Sequence, residues 1–516
     1  MRIATASLIL MAGSLGSRVL GLVREQLIAA LYGRTRETDL FTAAARVPTT
    51  LHDLLVGGVV TAALVPVITN YLAENPKEAG RLIGTLLILV TALLALVTAL
   101  LWLLAMPLAE LILPGYGPGD RRLAGDLLRL MAPVLPCLSL GGVLAGVSLA
   151  RRRFLFPGFG AAVLNLVFGL SAAFFRPLGV GALALSFTAG ALAHLLWQAG
   201  GLKGLRVGLE FDPAHPGLRQ VGRLYVPVFL GLLVSTAGVA FDTYLASFTG
   251  PGDLTAMRFA TNIIQFAIGL VGGSIGLAAL PTLTRQAADA TRSGYEATLT
   301  AMVRWVWLLT WGLAVVMLVL RRPLVSLLFE RGQFGPGDTD RTALALLAYL
   351  PGLPAAALDQ QLIYAFYARQ NTLTPVAVGV FAVLLYAVTA VALLGPLGMP
   401  GLALANAVQW VSHAVVMVWV GRSLLGRSLR PLGDAAGRGL VAGAAAAAAA
   451  AVGAGAVPPG LPRGLAVNLW QVAVGGGAGL AAYWGVLYLL RTPEAGLLMG
   501  RVLGLLKGIR VVKSTE

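Results

Sequence analysis

The chain has 516 residues, 58% of them hydrophobic and only 12% charged, with 38 Lys and Arg against 22 Asp and Glu, a net charge of +16 and a mean hydropathy of +0.83. A soluble domain carries roughly 25% charged residues, so this composition excludes a water-soluble globular fold and predicts an all-α polytopic membrane protein. The single cysteine, Cys137, excludes intramolecular disulfides.

Apolar runs of about 20 residues, separated by short charged or Pro/Gly loops, predict about fourteen transmembrane helices. They lie at 4–31, 39–72, 82–106, 123–149, 157–175, 179–202, 222–249, 254–284, 297–320, 341–368, 373–395, 399–421, 438–457 and 465–490. The opening "MRIATASLILMAG" has the look of a signal peptide, but its apolar run continues into a full span and reads as an uncleaved first helix. With both termini in the cytoplasm, the cytoplasmic loops carry roughly twice as many Lys and Arg as the opposite loops. Topology thus accounts for most of the net charge, and no nucleic-acid partner is implied.

The first span contains "SRVLGLVRE", which puts Arg18, Arg24 and Glu25 at or near membrane depth. Arg18 and Arg24 are separated by about 9 Å along a helix and roughly 120° around it, so both reach a ligand only if the helix borders a wide cavity. The second span adds Asp39, Arg46, His52 and Asp53. A charge at mid-membrane costs at least about 2.5–3.5 kcal/mol. Several cations with few acids nearby therefore predict a cavity that binds an anion; the competing reading is that Arg24 with Glu25, or His52 with Asp53, merely locks helices together. Further along, Arg129, Arg258 and Arg304 are intramembrane cations, and Asp126, Asp242 and Asp359, the last beside Gln360 and Gln361, are candidate ion or proton sites.

The chain also contains itself twice. "LVGGVVTAALVP", with Gly57 and Gly58, returns as "LVGGSIGLAALP", with Gly272 and Gly273. Pro133 and Pro136 match Pro351 and Pro354, Arg151 matches Arg369, and Pro157 matches Pro375, all at a constant offset. Six spans per copy is an even number, so the copies share one orientation and form parallel repeats with a site at their interface. The expected organisation is a six-helix lobe over 1–203, a second over 204–430, two further helices over 431–490 and a basic amphipathic tail over 491–516 on the cytoplasmic lipid surface. The four paired glycines are expected where the second span of each lobe bends or packs closely.

Other motifs are absent or misleading. No G-x-x-x-x-G-K-[ST] loop occurs, which argues against ATP as direct energy source. His52, His194, His215 and His413 lack metal-ligand spacing, so neither metal nor cofactor is expected. The D-x-D pair in "GPGDTDR" is matched by "GPGDRR", which keeps only the first acid; an Asp N-cap explains the shared residue better than an enzyme site does.

"SRVLGLVRE", "TDLFTAAARVPTTLHDLLVGGVVTAALVP" and "FYARQNTLTPV" resemble the lipid II flippase family, MurJ (MviN), of the multidrug/oligosaccharidyl-lipid/polysaccharide exporter superfamily, along the whole chain. The resemblance implies a monomeric, non-enzymatic transporter in the bacterial cytoplasmic membrane that exports undecaprenyl-pyrophosphate-linked peptidoglycan precursor by alternating access, coupled to a monovalent ion or the membrane potential. Arg18, Arg24 and Asp39 then stand at functional charged positions and Pro48 in the family's "PN" turn. The family's "LLRRxFAEGAF" is here "LHDLLVGGVV", so His52 and Asp53 replace arginines and Gly57 a glutamate. Asn262 replaces a second-lobe arginine, with Arg258 one turn earlier on the same face. These replacements keep two other readings open: an exporter of another polyprenyl-linked glycan or small molecule, and a non-transporting scaffold of cell-wall assembly.

Overall fold

The computed structural model describes residues 3–57, 63–205, 208, 211–287, 293–369, 371, 373–423, 430–462 and 464–500. The chain is helical, with no strand among these residues. In order, the helices are α1 (Ile3–Tyr32), α2 (Arg36–His52), α3 (Val65–Glu74), α4 (Pro76–Leu103), α5 (Ala105–Ile112), α6 (Pro118–Met131), α7 (Val134–Ala150), α8 (Leu155–Phe174), α9 (Gly181–Ala199), α10 (Pro216–Ala246) and α11 (Asp253–Ile268). There follow α12 (Ser274–Ala287), α13 (Ser293–Val319), α14 (Arg321–Phe329), α15 (Pro336–Tyr349), α16 (Leu353–Ala368), α17 (Leu373–Leu397), α18 (Met399–Val420), α19 (Arg430–Gly455), α20 (Leu465–Trp470) and α21 (Gly476–Leu489).

Eleven described helical segments are long and apolar enough to cross a membrane, and twelve if the bent α10 counts as one span. The remaining two expected spans correspond to α1 and to the segment from α2 to α3. Gly58 and residues 501–516 of the expected tail lie outside the described residues.

The sequence repeat reappears as a repeat of helix breaks. A π-turn, Asp53–Gly57, follows α2, and a second, Gly269–Gly273, follows α11. The 33-residue segments Pro118–Ala150 and Pro336–Ala368 both break near the middle, the first at Ala132 and Pro133, the second at the 3-10 turn Leu350–Gly352. Proline explains the paired breaks, since it offers no N–H to the preceding turn and its ring crowds the carbonyl four residues back.

The N-cap expectation needs correction. Asp120 and Asp338 are each the third residue of their helix, after Gly117-Pro118-Gly119 and Gly335-Pro336-Gly337. From there Asp338 Oδ2 accepts the backbone N–H of Gly335 at 3.0 Å, which is the returning half of a capping box. Proline at the first helical position favours this arrangement, because its missing N–H would be unpaired there anyway.

The chain divides into two compact units, residues 1–258 with 331–338, and 259–330 with 339–516. In the first, Val56, Leu64, Ile68, Leu82, Val143 and Val147 pack around the first π-turn. In the second, one core gathers Leu283, Leu299, Val303, Leu362 and Val378, and another joins α13 to α19 and α21. There Ala442, Ala446 and Ala450, one turn apart, are fully buried. Tyr483 donates to the Leu308 carbonyl at 2.8 Å. The small residues of α19 thus serve close backbone approach.

Candidate substrate site

In the first unit, Glu25 is 1% exposed and its Oε1 accepts from Arg24 Nη2 at 2.6 Å and from Arg258 Nη2 at 2.8 Å. The helices that meet here hold each guanidinium from its other side. Arg24 Nη1 donates to Asn165 Oδ1 of α8 at 2.9 Å, and Asn165 Nδ2 donates to the Ser17 carbonyl at 3.1 Å. Arg258 Nη1 donates to Thr42 Oγ1 at 3.1 Å.

Aromatic rings complete the setting. The Arg24 guanidinium lies 5.1 Å from the Phe168 ring centre and that of Arg258 lies 5.5 Å from Phe41. Phe41 meets Phe168 edge-on at 6.2 Å, and Phe168 stacks on Phe187 at 5.6 Å. Ring faces attract cations where water is scarce.

Two guanidinium groups and one carboxylate leave this cluster one positive charge. Glu25 Oε2 and Arg24 Nε are buried without a hydrogen-bond partner among the described residues. A buried donor without an acceptor is expensive, and an anion able to accept a hydrogen bond from Arg24 Nε would lower the energy of the site.

Arg46 is placed differently. Its Nη1 donates to Asp242 Oδ2 at 2.9 Å and to Thr243 Oγ1 at 2.8 Å. This pair is electrically neutral, so Arg46 adds much less to a cationic cavity than its sequence position implies, and Asp242 acts first as a counter-ion.

Asp39 is fully buried and serves as the cap of another helix. Oδ1 accepts from the backbone N–H of Thr255 at 2.7 Å and from its Oγ1 at 2.6 Å, while Oδ2 accepts from the Gly252 N–H and from the Tyr116 hydroxyl at 2.8 Å. A carboxylate at the N-terminus of α11 satisfies orphaned N–H groups and complements the helix dipole. In the loop between α5 and α6, burial and the neighbouring Asp39 carboxylate push the Tyr116 phenol up from its ordinary range. The same corner is closed by Arg34, which donates to Asp338 Oδ1 at 3.0 Å and to the Pro251 carbonyl at 2.9 Å.

The other predicted residues are more dispersed. Arg18 is half-buried on α1. His52 Nδ1 is 3.1 Å from Ser139 Oγ, whereas Asp53 is exposed and its side chain makes no hydrogen bond or ion pair among the described residues. Asn262 lies one turn beyond Arg258 on α11, partly exposed. Arg129 pairs with the exposed Asp126 at 3.2 Å, and Arg304 with Glu494 at 2.7 Å. Asp359, in the second unit, is 2.7 Å from His413 Nδ1.

Gly57 is exposed, and among the described residues a Cβ there would meet only Asp53. Gly272 and Gly273 are buried, and a Cβ on Gly272 would sit 3.1 Å from Gln360 Oε1. Sequence reasoning missed Asn165, Thr42 and the phenylalanines around the cluster. The one available signal was Asn165 itself, a lone amide inside the apolar run of α8.

The model of the family described as Lipid II flippase MurJ matches residues 28–459. A "Probable lipid II flippase MurJ" of Vibrio cholerae serotype O1 is 30% identical over 397 residues, covering 74% of this chain and 75% of that protein. The chain belongs to the lipid II flippase MurJ family. A "Lipid II flippase MurJ" of Burkholderia cenocepacia is 29% identical over 381 residues, covering 71% and 74% of the two chains.

Among solved structures, "Lipid II flippase MurJ, inward closed conformation" aligns with a TM-score of 0.79 at 18% identity, over 94% of this chain and 99% of that one. An inward-facing MATE family transporter of the MOP superfamily aligns at 0.65 and 17% identity, over 79% and 94%. The chain therefore shares the fold of both structures. The MurJ match takes in Asp39, Arg46, Arg258 and both π-turns, and it begins three residues beyond Glu25.

Proposed function

We propose that this chain is a flippase that carries lipid II, an undecaprenyl-pyrophosphate-linked peptidoglycan precursor, across the bacterial cytoplasmic membrane by alternating access. The observation that carries the reading is the net positive Arg24–Glu25–Arg258 cluster at membrane depth in a chain of the MurJ family. The substrate's diphosphate offers paired anionic oxygens, which suit the fork of a guanidinium. In the empty state Glu25 occupies both arginines through one oxygen. An arriving diphosphate takes over one guanidinium and meets the unpartnered Nε of Arg24. Arg18 and His52 extend the polar surface toward the head group, and Arg46 joins them only if Asp242 lets go.

In this reading the protein works as a monomer with both termini in the cytoplasm and changes no covalent bond. The lobes are 1–203 and 204–430, followed by the helix pair 431–490. Gly272 and Gly273 serve close packing at the second turn, and an ion gradient acting through an intramembrane acid supplies the energy. Replacement of family charges by His52, Gly57 and Asn262 favours one second reading, export of another carrier-linked glycan by the same machinery.

The test is Arg24→Ala in vesicles supplied with labelled lipid II. Flipping should fall to the background of empty vesicles while membrane insertion is retained. Full activity would assign Arg24 to helix locking. A variant lacking Glu25 should lose stability by about 3–5 kcal/mol, since two buried cations are left facing each other. Rapid flipping of a different carrier-linked glycan beside inert lipid II would establish the second reading.

A further inference from the structure

The second unit contains an intramembrane acid–base pair that the diphosphate site does not use. Asp359 of α16 and His413 of α18 lie well inside their helices, with Oδ1 and Nδ1 2.7 Å apart. Their side chains retain 15% and 14% of their exposure, so the pair is not sealed. The other ring nitrogen, Nε2, points along α17 at a glycine: a Cβ on Gly379 would lie 3.7 Å from it.

We infer that Asp359 and His413 form a one-proton site that supplies the ion for transport. The proton balance is simple. With Nδ1–H donated to Asp359, the ring gains or loses a proton at Nε2. Protonated, the pair is imidazolium and carboxylate and carries no net charge. When the Nε2–H bond breaks, the proton leaves to water, its electron pair stays on the ring nitrogen, and the pair is left with one negative charge. A helix pair at membrane depth distinguishes strongly between these states, because a net charge there is costly while a hydrogen-bonded neutral pair is not.

The surroundings isolate the site. Asp359 Oδ1 meets His413 Nδ1 directly at 2.7 Å. Arg304 of α13 is committed to Glu494. The titratable neighbours on α16 are Tyr364 and Tyr367, with Asp359 acting on Tyr367.

A route from proton to movement is also present. Gln361 is two residues beyond Asp359, about 200° around the helix. It is fully buried, and its Nε2 donates to the Gly272 carbonyl of the second π-turn at 2.9 Å. Thus α16 carries the proton pair on one side and holds the π-turn on the other, and a change of charge that shifts α16 against α18 moves the residue gripping that turn.

The inference rests on the transport reading above, so it is tested with and without transport. In the full chain in nanodiscs, histidine NMR between pH 5 and 8 should show one titration that vanishes in His413→Gln. In Asp359→Asn its midpoint should fall by at least one pH unit, because the imidazolium loses its counter-charge, and Asp359→Glu should restore most of the shift. In vesicles with the membrane potential clamped, a pH gradient should change the wild-type lipid II flipping rate about fivefold, and that ratio should fall to one in His413→Gln and Asp359→Asn. A His413 titration indifferent to Asp359, or flipping indifferent to the gradient in the wild type, overturns the inference. A titration as described in a protein that moves no lipid II at all upholds the proton site and removes lipid II as the substrate.

Discussion

The two repeated π-turns, unlike a third at Gln471–Gly475 that lies outside the repeat, are one backbone device in two different settings. The first, Asp53–Gly57, begins with an exposed acid, ends on an exposed glycine, and has its Leu54 carbonyl capped by the Tyr225 hydroxyl at 2.8 Å. The second, Gly269–Gly273, has no charge, is buried at Gly272 and Gly273, and has its Gly272 carbonyl capped by the Gln361 amide at 2.9 Å. A π-turn frees a carbonyl from the α-helical ladder, and in each copy a polar side chain from another helix takes it up. The two copies share the device and differ in its surroundings: the first carries charge at the turn, and the second is a packed joint.

The comparison is most exposed to a leucine at the two glycines. Gly272→Leu has no room against Gln360 and Ala357, and lipid II flipping should fall at least tenfold, with accessibility of introduced cysteines frozen on one face. Gly57→Leu should stay within twofold of wild type. Equal losses would mean that both turns are packed joints.

A smaller difference is expected from the caps. Gln361→Leu leaves a buried carbonyl unpaired, a loss of about 1–3 kcal/mol that is read as a lower Tm in detergent. Tyr225→Phe should lose about 1 kcal/mol or less, because that carbonyl's surroundings are more open. A larger drop for Tyr225→Phe would reverse the assignment of which turn is held more firmly.

The smallest effect should come from making the first copy resemble the second. Asp53→Gly introduces the residue type found at the start of the second turn. Because the Asp53 side chain is exposed and unpartnered, the change should fall within about 0.5 kcal/mol in stability, and the flipping rate should change less than threefold. A complete loss of flipping would show that charge at the first turn belongs to the substrate site.

Much of this arrangement was legible in the sequence, because spans announce themselves by apolar length and the repeat by a constant offset. The same is true of Asp359 and Arg258, since a charge inside an apolar run is conspicuous wherever it lies. Partner choice was not legible. Glu25 meets Arg258 and Asn165 meets Arg24 across 233 and 141 residues, and His413 finds Asp359 across 54. Inside a bilayer nearly every face of a helix is apolar, so periodicity does not reveal which side of α8 or α18 turns toward a charge. The Asp N-caps were misplaced for a local reason: the Gly-Pro-Gly that precedes each Asp starts the helix two residues earlier than the acid.

The long separation between Arg304 and Glu494 also has a temporal side. Glu25 has Arg24 beside it from the moment of synthesis, but Arg304 must wait for a partner 190 residues further along the chain. At about 5–20 residues per second that is roughly 10–40 s, during which α13 carries an unmatched guanidinium in a membrane still receiving the rest of the protein. A chain that stops short of Glu494 never ends that wait, and a quality-control protease that surveys membrane helices for unpaired charge would see it as unfinished.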